Sequence, residues 1–372
     1  MERMTPFYDI ATDPIGYARA WKARTRSKVV GYFCSYAPEE IIWAAGVLPY
    51  RILGGGQTPA RADAHLQAYC CSLVRAALDD ALAGRLGFLD GTVFPHTCDS
   101  IQRLSDIWRL NTGFDFHLDL VLPVKLNTRS AEQYMLAVLK KFRIELEGGL
   151  GVDITERELK KAIDIFNQIR SDLRRLYALR SRQPAPISSS DLHAIARASM
   201  VMDRGELCER LAEICERLDA HQAEAGIKKI PLVLTGGICS MPDIYRHIEA
   251  AGGTVVGDDF CTGSRSAEGA IDVQDDPLKA IARRYYERIN CPAKHRDCSS
   301  RGNHLLKIVD DTRARGVIFV LLKFCDPHAF DFPYLKEFLE RAGIPSLLLE
   351  IEEHQISTEQ LTTRLEAFIE RL

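Results

Sequence analysis

Short apolar runs alternate along the chain with longer stretches in which apolar residues recur every third or fourth position. This pattern predicts alternating strands and helices, hence α/β layers built on mostly parallel sheets. Four segments share one layout, an apolar run followed by a cysteine and then a turn or helix start: 29–34, 92–98, 254–261 and 317–325, which end on Cys34, Cys98, Cys261 and Cys325. Two lie in each half of the chain and read as a weak internal repeat. Further strands are predicted at 114–122, 231–234 and 346–351. Thr155 and Glu158 form a capping box that opens a helix with Leu159, Ile163, Phe166, Ile169 and Leu173 on one stripe. Ser357 to Gln360 form a second, opening a last helix with Leu361, Leu365, Phe368 and Leu372 on one face.

The polar, Pro/Ser-rich stretch 180–190 reads as the link between halves. The expected organisation is an N-terminal arm over 1–28, a first α/β domain over 29–185 and a second over 186–372. A length of 372 residues suits two or three domains, and 46% hydrophobic residues let each half bury a core. A net charge of −3 argues against a nucleic-acid or membrane-surface partner. No stretch approaches the roughly 18 apolar residues of a membrane span, and the N-terminus lacks the apolar run of a signal peptide. A cytoplasmic protein is expected.

The cysteines change this picture. There are eleven, an odd number in a chain with no sign of secretion, so a disulfide framework is disfavoured. In an open α/β sheet, ligands bind outside the carboxyl ends of the strands. A single cysteine there is commonly a small buried hydrophobe, but four repeats of one layout point to a shared site. Each precedes a candidate helix N-terminus: Pro38, Glu39 and Glu40 follow Cys34, Asp99 follows Cys98, and Asp326 and Pro327 follow Cys325. A helix N-terminus carries partial positive charge and favours the thiolate, the form that ligates iron–sulfur clusters. Cys71, before another helix start, and Cys291, before Pro292, can join the set.

Other chemistries have less support. No close-spaced CxxC pair suggests a zinc ribbon, although Cys291, His295 and Cys298 could form part of a zinc site. Cys208 and Cys215, seven apart, share one helix face and read as core. Cys239 follows the strand-end turn Thr235-Gly236-Gly237, which lacks a full dinucleotide fingerprint. Gly54-Gly55-Gly56 is not followed by a phosphate-loop lysine and reads as a turn. A Cys/His nucleophile has no supporting spacing.

Several motifs in order resemble the 2-hydroxyacyl-CoA dehydratase/benzoyl-CoA reductase family across nearly the whole chain. They are Cys34-Ser35-Tyr36-Ala37-Pro38-Glu39-Glu40 with Ala44-Ala45-Gly46-Val47-Leu48-Pro49, Cys71-Ser72, His96-Thr97-Cys98-Asp99, Lys323-Phe324-Cys325-Asp326-Pro327, and the C-terminal run from Gly343 to Phe368. The resemblance implies two Rossmann-like (flavodoxin-like) parallel-sheet domains. It also implies one [4Fe-4S] cluster held by three cysteines, which match Cys71, Cys98 and Cys325. Single electrons would come from an ATP-hydrolysing iron–sulfur activator protein. Cys34, Cys261 and Cys291 form a second set of three, as in the family's double-cubane branch, where an [8Fe-9S] cluster sits in a homodimer and reduces small molecules. Cys298 stands as an alternative to Cys291. The rival within the family is a [4Fe-4S] subunit of a heteromeric acyl-CoA dehydratase or benzoyl-CoA reductase, paired with a related second subunit, where Glu39 or Glu40 could transfer protons. Outside it, the rival is a binding protein that has lost its cluster.

Overall fold

The computed structural model describes residues 4–55, 59–182, 184–220, 229–238, 244–274, 276–297, 299–352 and 358–372. Cys239, Cys298, Gly56 and Ser357 fall outside them. The chain opens with α1 (Thr5–Thr12) and α2 (Pro14–Thr25). Asp13 caps α2 by accepting a hydrogen bond from the Gly16 amide, and Pro14 supplies a first-turn position that needs no N–H. The arm is packed down: Phe7, Ile10, Ala18 and Trp21 are buried against the first sheet's helices.

That sheet holds β1 (Val29–Tyr32), β2 (Leu48–Arg51), β3 (Gly91–Pro95) and β4 (Phe116–Leu120), all parallel in the order β2-β1-β3-β4. Its connections carry α3 (Glu39–Ala44), α4 (Ser72–Leu82) and α5 (Asp99–Asn111). Then come α6 (Arg129–Leu150), α7 (Glu156–Arg180), α8 (Ser189–Ala198) and α9 (Arg204–Ala220). The second sheet repeats the topology with β5 (Ile230–Gly236), β6 (Gly253–Asp259), β7 (Gly316–Leu322) and β8 (Ser346–Ile351), parallel in the order β6-β5-β7-β8. Around it lie α10 (Ile244–Ala250), α12 (Ser300–Thr312), α13 (Asp326–Arg341) and α14 (Thr358–Ile369), whereas α11 (Pro277–Glu287), between β6 and α12 in sequence, packs against α6 and α7. The fold is thus α/β with two Rossmann-like units and N-terminal helices, as the pattern and the resemblance both implied. Among the described residues no helix is long and apolar enough to cross a membrane.

Both faces of each sheet's inner strands are covered, which is why β1, β3 and β7 read as largely continuous apolar runs, while the edge strand β4 alternates. Along β7, Val317, Phe319 and Leu321 face α12 and α13, while Ile318 and Val320 face α10 and α14. The N-cap half of the predicted capping box is present at the start of α7, where Thr155 Oγ1 accepts from the Glu158 amide at 3.3 Å, while the Glu158 carboxylate accepts from Arg157. The apolar pattern does not predict strand β2. It is four residues long and contains Pro49, both arguments against a strand, and it survives because it lies at the sheet edge where a missing N–H breaks no ladder.

The polar stretch around 185 runs between α7 and α8. On either side of it, α7, α8 and α9 share the core beneath the first sheet, and α11 packs its Leu278, Ile281 and Tyr285 into the sheet's other face. The two halves of the sequence are therefore laced together, with the strand ends of both sheets facing a common seam.

Candidate functional site

In a 2-1-3-4 sheet the order reverses between the first and third strands, and that switch point is where a crevice opens. Cys34 follows β1 and Cys98 follows β3, so they flank the first switch point. Cys325 follows β7 beside the end of β5 at the second. The repeat is stricter for some cysteines than for others. Cys98 and Cys325 sit after equivalent strands, whereas Cys261 follows β6, the counterpart of β2. The residue that ends β2 is Arg51, and it reaches across the seam to Cys261, donating from Nη1 to the backbone carbonyl at 2.9 Å and from Nη2 to Sγ at 3.3 Å.

Three cysteines occupy helix N-cap positions: Cys71 on α4, Cys98 on α5 and Cys325 on α13. Strained backbone helps aim two of the six. Cys34 itself has φ 57° and Phe324, immediately before Cys325, has φ 64°, a left-handed conformation that costs a residue with a Cβ. At the end of β5, Gly236 lets two strands close up, since a Cβ there would lie 2.1 Å from the Val320 carbonyl oxygen.

The thiols act on one another electrostatically. Burial pushes the Cys34 thiol well up, and neighbouring Cys98 adds to this while Thr97 Oγ1, 3.1 Å from the sulfur, and Arg51 oppose it. Burial also pushes Cys98 up to about 11 against the amides of Ile101 and Ser100 at the start of α5, with Cys291 raising it further. The Cys325 thiol is raised by burial, by Cys71, and by Cys98 and Cys291, against the His328 amide. Cys291 is raised by burial and by Cys261, and lowered by Arg265, the Ala293 amide and Arg301. The six cysteines thus form one connected neighbourhood. The helix amides do pull toward thiolate as expected, but burial and mutual crowding outweigh them. Proton release therefore has to accompany the arrival of a cationic ligand.

Cations surround the set. Lys294 is fully buried, with Nζ donating to the carbonyls of Leu122 at 3.2 Å and His96 at 3.3 Å. Burial lowers its pKa to about 8, against the pull of Cys291, Cys34 and Cys98. Arg265 and Arg301 are buried beside Asp259, each 3.2 Å from a carboxylate oxygen, and Arg265 Nη1 has no hydrogen-bond partner. His328 Nδ1 lies 3.3 Å from Cys325 Sγ. Sequence reasoning singled out none of Arg51, Lys294 or His328. Their signal was proximity in sequence to a strand end or a cysteine, which is too weak without the fold.

Glu40 is fully buried, bonded to Arg170, 3.8 Å from Arg284 Nη1, and 3.1 Å from the Tyr285 hydroxyl that donates to it. Burial opposes its charge, but the two guanidinium groups hold its carboxyl below the ordinary range. Glu39 is half-buried and accepts from Arg204 Nη2 at 2.7 Å. Both acids therefore tie α3 to other elements. Cys215 is buried in α9 and Cys208 packs partly exposed on the same core. The His295 backbone is engaged by Val124 and Leu126.

Among the described residues, no three His, Cys, Asp or Glu side chains converge on a single metal ion. The donors are instead sulfurs spread around a seam, ringed by buried cations and an unpartnered guanidinium N–H. Such a set suits an anionic, thiolate-bound polynuclear iron–sulfur group. A cavity of about 620 Å³ opens beside it, lined by Cys98, Lys294, Arg301, Asp326, Phe330 and Tyr334 among others.

A family model described as 2-hydroxyglutaryl-CoA dehydratase, D-component, matches residues 34–372. The chain is 26% identical over 366 residues to the (R)-phenyllactyl-CoA dehydratase beta subunit of Clostridium sporogenes, covering 98% of this chain and 97% of that one. It is 29% identical over 347 residues to a benzoyl-CoA reductase subunit of Thauera aromatica, covering 91% and 89%. With the lactoyl-CoA dehydratase subunit beta of Anaerotignum propionicum it shares 27% over 369 residues, covering 98% and 97%.

Proposed function

The chain belongs to the 2-hydroxyglutaryl-CoA dehydratase D-component family, and from that premise we propose that it is an iron–sulfur reductase component working in the cytoplasm. Its thiols hold the cluster: Cys71, Cys98 and Cys325 as one set, Cys34, Cys261 and Cys291 as a second. The carrying observation is that all six, drawn from both halves of the chain, are linked through their effects on ionisation at one seam. With both sets engaged the group is a double-cubane [8Fe-9S] cluster. When bound it supplies single low-potential electrons, delivered by an ATP-hydrolysing iron–sulfur activator.

The chain's own residues do the rest. Arg51 orients Cys261 and places positive charge beside it. Lys294 and Arg301 place positive charge where Cys98 meets the large cavity, in which a small polar substrate would be held near the cluster, among aspartates such as Asp99 and Asp326. Phe330 and Tyr334 line the same cavity with aromatic surface. Glu39 and Glu40 act in this reading as anchors of α3, which starts shortly after Cys34.

A second reading is favoured by the relatives' names, which describe subunits: the chain is a [4Fe-4S] subunit that works with a related second subunit on an acyl-CoA. Iron and acid-labile sulfide in anaerobically purified protein separate the two. About eight irons per chain supports the double cubane, and about four with co-purification of a second subunit supports the alternative. Colourless protein that takes up no iron on reconstitution overturns both.

A further inference from the structure

Beside the cysteines lies another, much smaller cavity of about 40 Å³, lined by five arginines, Arg51, Arg170, Arg204, Arg284 and Arg288, and one carboxylate, Glu39, among the described residues, with Glu40 bonded to Arg170. The five arginines are all buried. Most of their N–H groups are spoken for. Arg170 bonds Glu40, and Arg204 bonds Glu39 at 2.7 Å. Arg284 donates to the carbonyls of Ser266, Glu268 and Gly269. Arg288 Nη2 donates to Ser35 at 2.5 Å, and the Arg51 Nη groups go to Cys261. Two are not. Arg51 Nε and Arg288 Nε are buried with no hydrogen-bond partner.

Five guanidinium groups against these two carboxylates leave three positive charges without a carboxylate partner here. Ionising Cys261 offsets one of them through Arg51 and leaves two. Burying like charges without compensation is strongly unfavourable, and an unmade buried N–H bond adds to that cost. Size restricts what can supply the missing charge. The volume exceeds the roughly 10–15 Å³ that one water-sized particle needs. It is far below the roughly 300 Å³ or more of organic ligand sites.

We propose that this cavity is an internal halide site, in which a chloride-sized anion accepts hydrogen bonds from Arg51 Nε and Arg288 Nε and balances the arginine cluster behind the cysteines. The burial of Arg284, whose pKa falls to about 9 through burial and through Arg170 beside it, is consistent with a region short of negative charge. Because Arg51 also grips Cys261, the anion would help set the charge felt at the cysteine seam. The site requires no iron, so its failure and the failure of the cluster reading are separate results.

The direct test is a crystal of the anaerobically purified protein soaked in bromide and measured at the bromine absorption edge. An anomalous peak between Arg51 and Arg288 supports the site; none at saturating bromide overturns it. In solution, Tm should rise saturably with chloride or bromide, on the order of 2 °C, at constant ionic strength held by gluconate. An equal rise in gluconate alone would reflect screening and overturn the proposal. Arg288→Met should abolish the halide-specific rise. If that variant does not fold, the bromide measurement on the unaltered protein decides alone.

Discussion

Replacing Glu40 by glutamine tests the electrostatics that hold the seam together. Glu40 is 0% exposed, and its carboxylate is the direct counter-charge of Arg170, with Arg284 3.8 Å away. Glu40→Gln keeps the shape and one acceptor but removes the charge, leaving buried guanidinium groups uncompensated. Breaking a buried pair in this way costs about 3–5 kcal/mol. In a chain of this size that is a drop in Tm of about 4–6 °C. The effect has a pH signature. The folded-state pKa of Glu40 is held below the ordinary 4.5, so its contribution is present above that value and fades as pH falls through the folded pKa. The gap between wild type and variant should be constant from neutral to about pH 5 and shrink in stronger acid. Adding Arg170→Met should recover part of the loss, with a coupling of about 0.5–3 kcal/mol, because the surplus positive charge goes with it. Thermal scans under nitrogen across pH provide the assay. An unchanged Tm at pH 7, or a double variant that loses the sum of both single losses, refutes the reasoning.

Three further outcomes are expected. Cys71→Ser, Cys98→Ser and Cys325→Ser should each lower bound iron and sulfide, whereas Cys208→Ser, on α9 away from the seam, should leave both unchanged; metal analysis decides. Arg51→Met removes the donor 3.3 Å from Cys261 Sγ and should speed loss of visible cluster absorbance under a chelator by several-fold, and an unaltered rate counts against that contact. His193 is buried against Tyr245, and burial, aided by Arg197, lowers its pKa from 6.5 to about 3. The unfolded chain therefore binds a proton that the folded one excludes between those values, and stability should fall as pH drops through that window, by up to about 1.4 kcal/mol per pH unit. His193→Phe should flatten this slope in urea titrations relative to wild type.

Much of the architecture was legible because it is written locally. The apolar runs of β1, β3, β6 and β7, the Thr155 capping box and the cysteines at helix starts are all signals within a few residues. What was illegible depends on distant partners. Leu48–Arg51 reads against a strand because of Pro49, and only the edge position beside β1 makes it one. Arg51 and Cys261 are 210 positions apart and no periodicity links them. The same holds for Lys294 and the Leu122 carbonyl, or Glu40 and Arg170. The internal repeat was also only half readable. The sequence pairs cysteines by layout, but the topology makes equivalents of Cys98 and Cys325, and sets Arg51 opposite Cys261.

That last pairing bears on reading the six thiols as one ligand set drawn from both halves. Each sheet alone offers one crevice at one switch point, and a cysteine there could be a small buried hydrophobe. Bringing the crevices together puts several weak acids into one desolvated space, where every added thiol makes ionisation of the others harder. A protein gains nothing in stability from such crowding, and it lines the same space with Arg51, Arg265, Arg301 and Lys294, which are themselves costly to bury. The two costs offset each other only when the sulfurs are ionised, and ionised sulfurs in that number need a multivalent cationic partner. Thiols without these cations would stay protonated, and Arg51 and Lys294, unlike Arg265 and Arg301 beside Asp259, gain their closest anionic neighbours from ionised cysteines. Their coexistence at one seam is the reason to read the cysteines as ligands rather than as core.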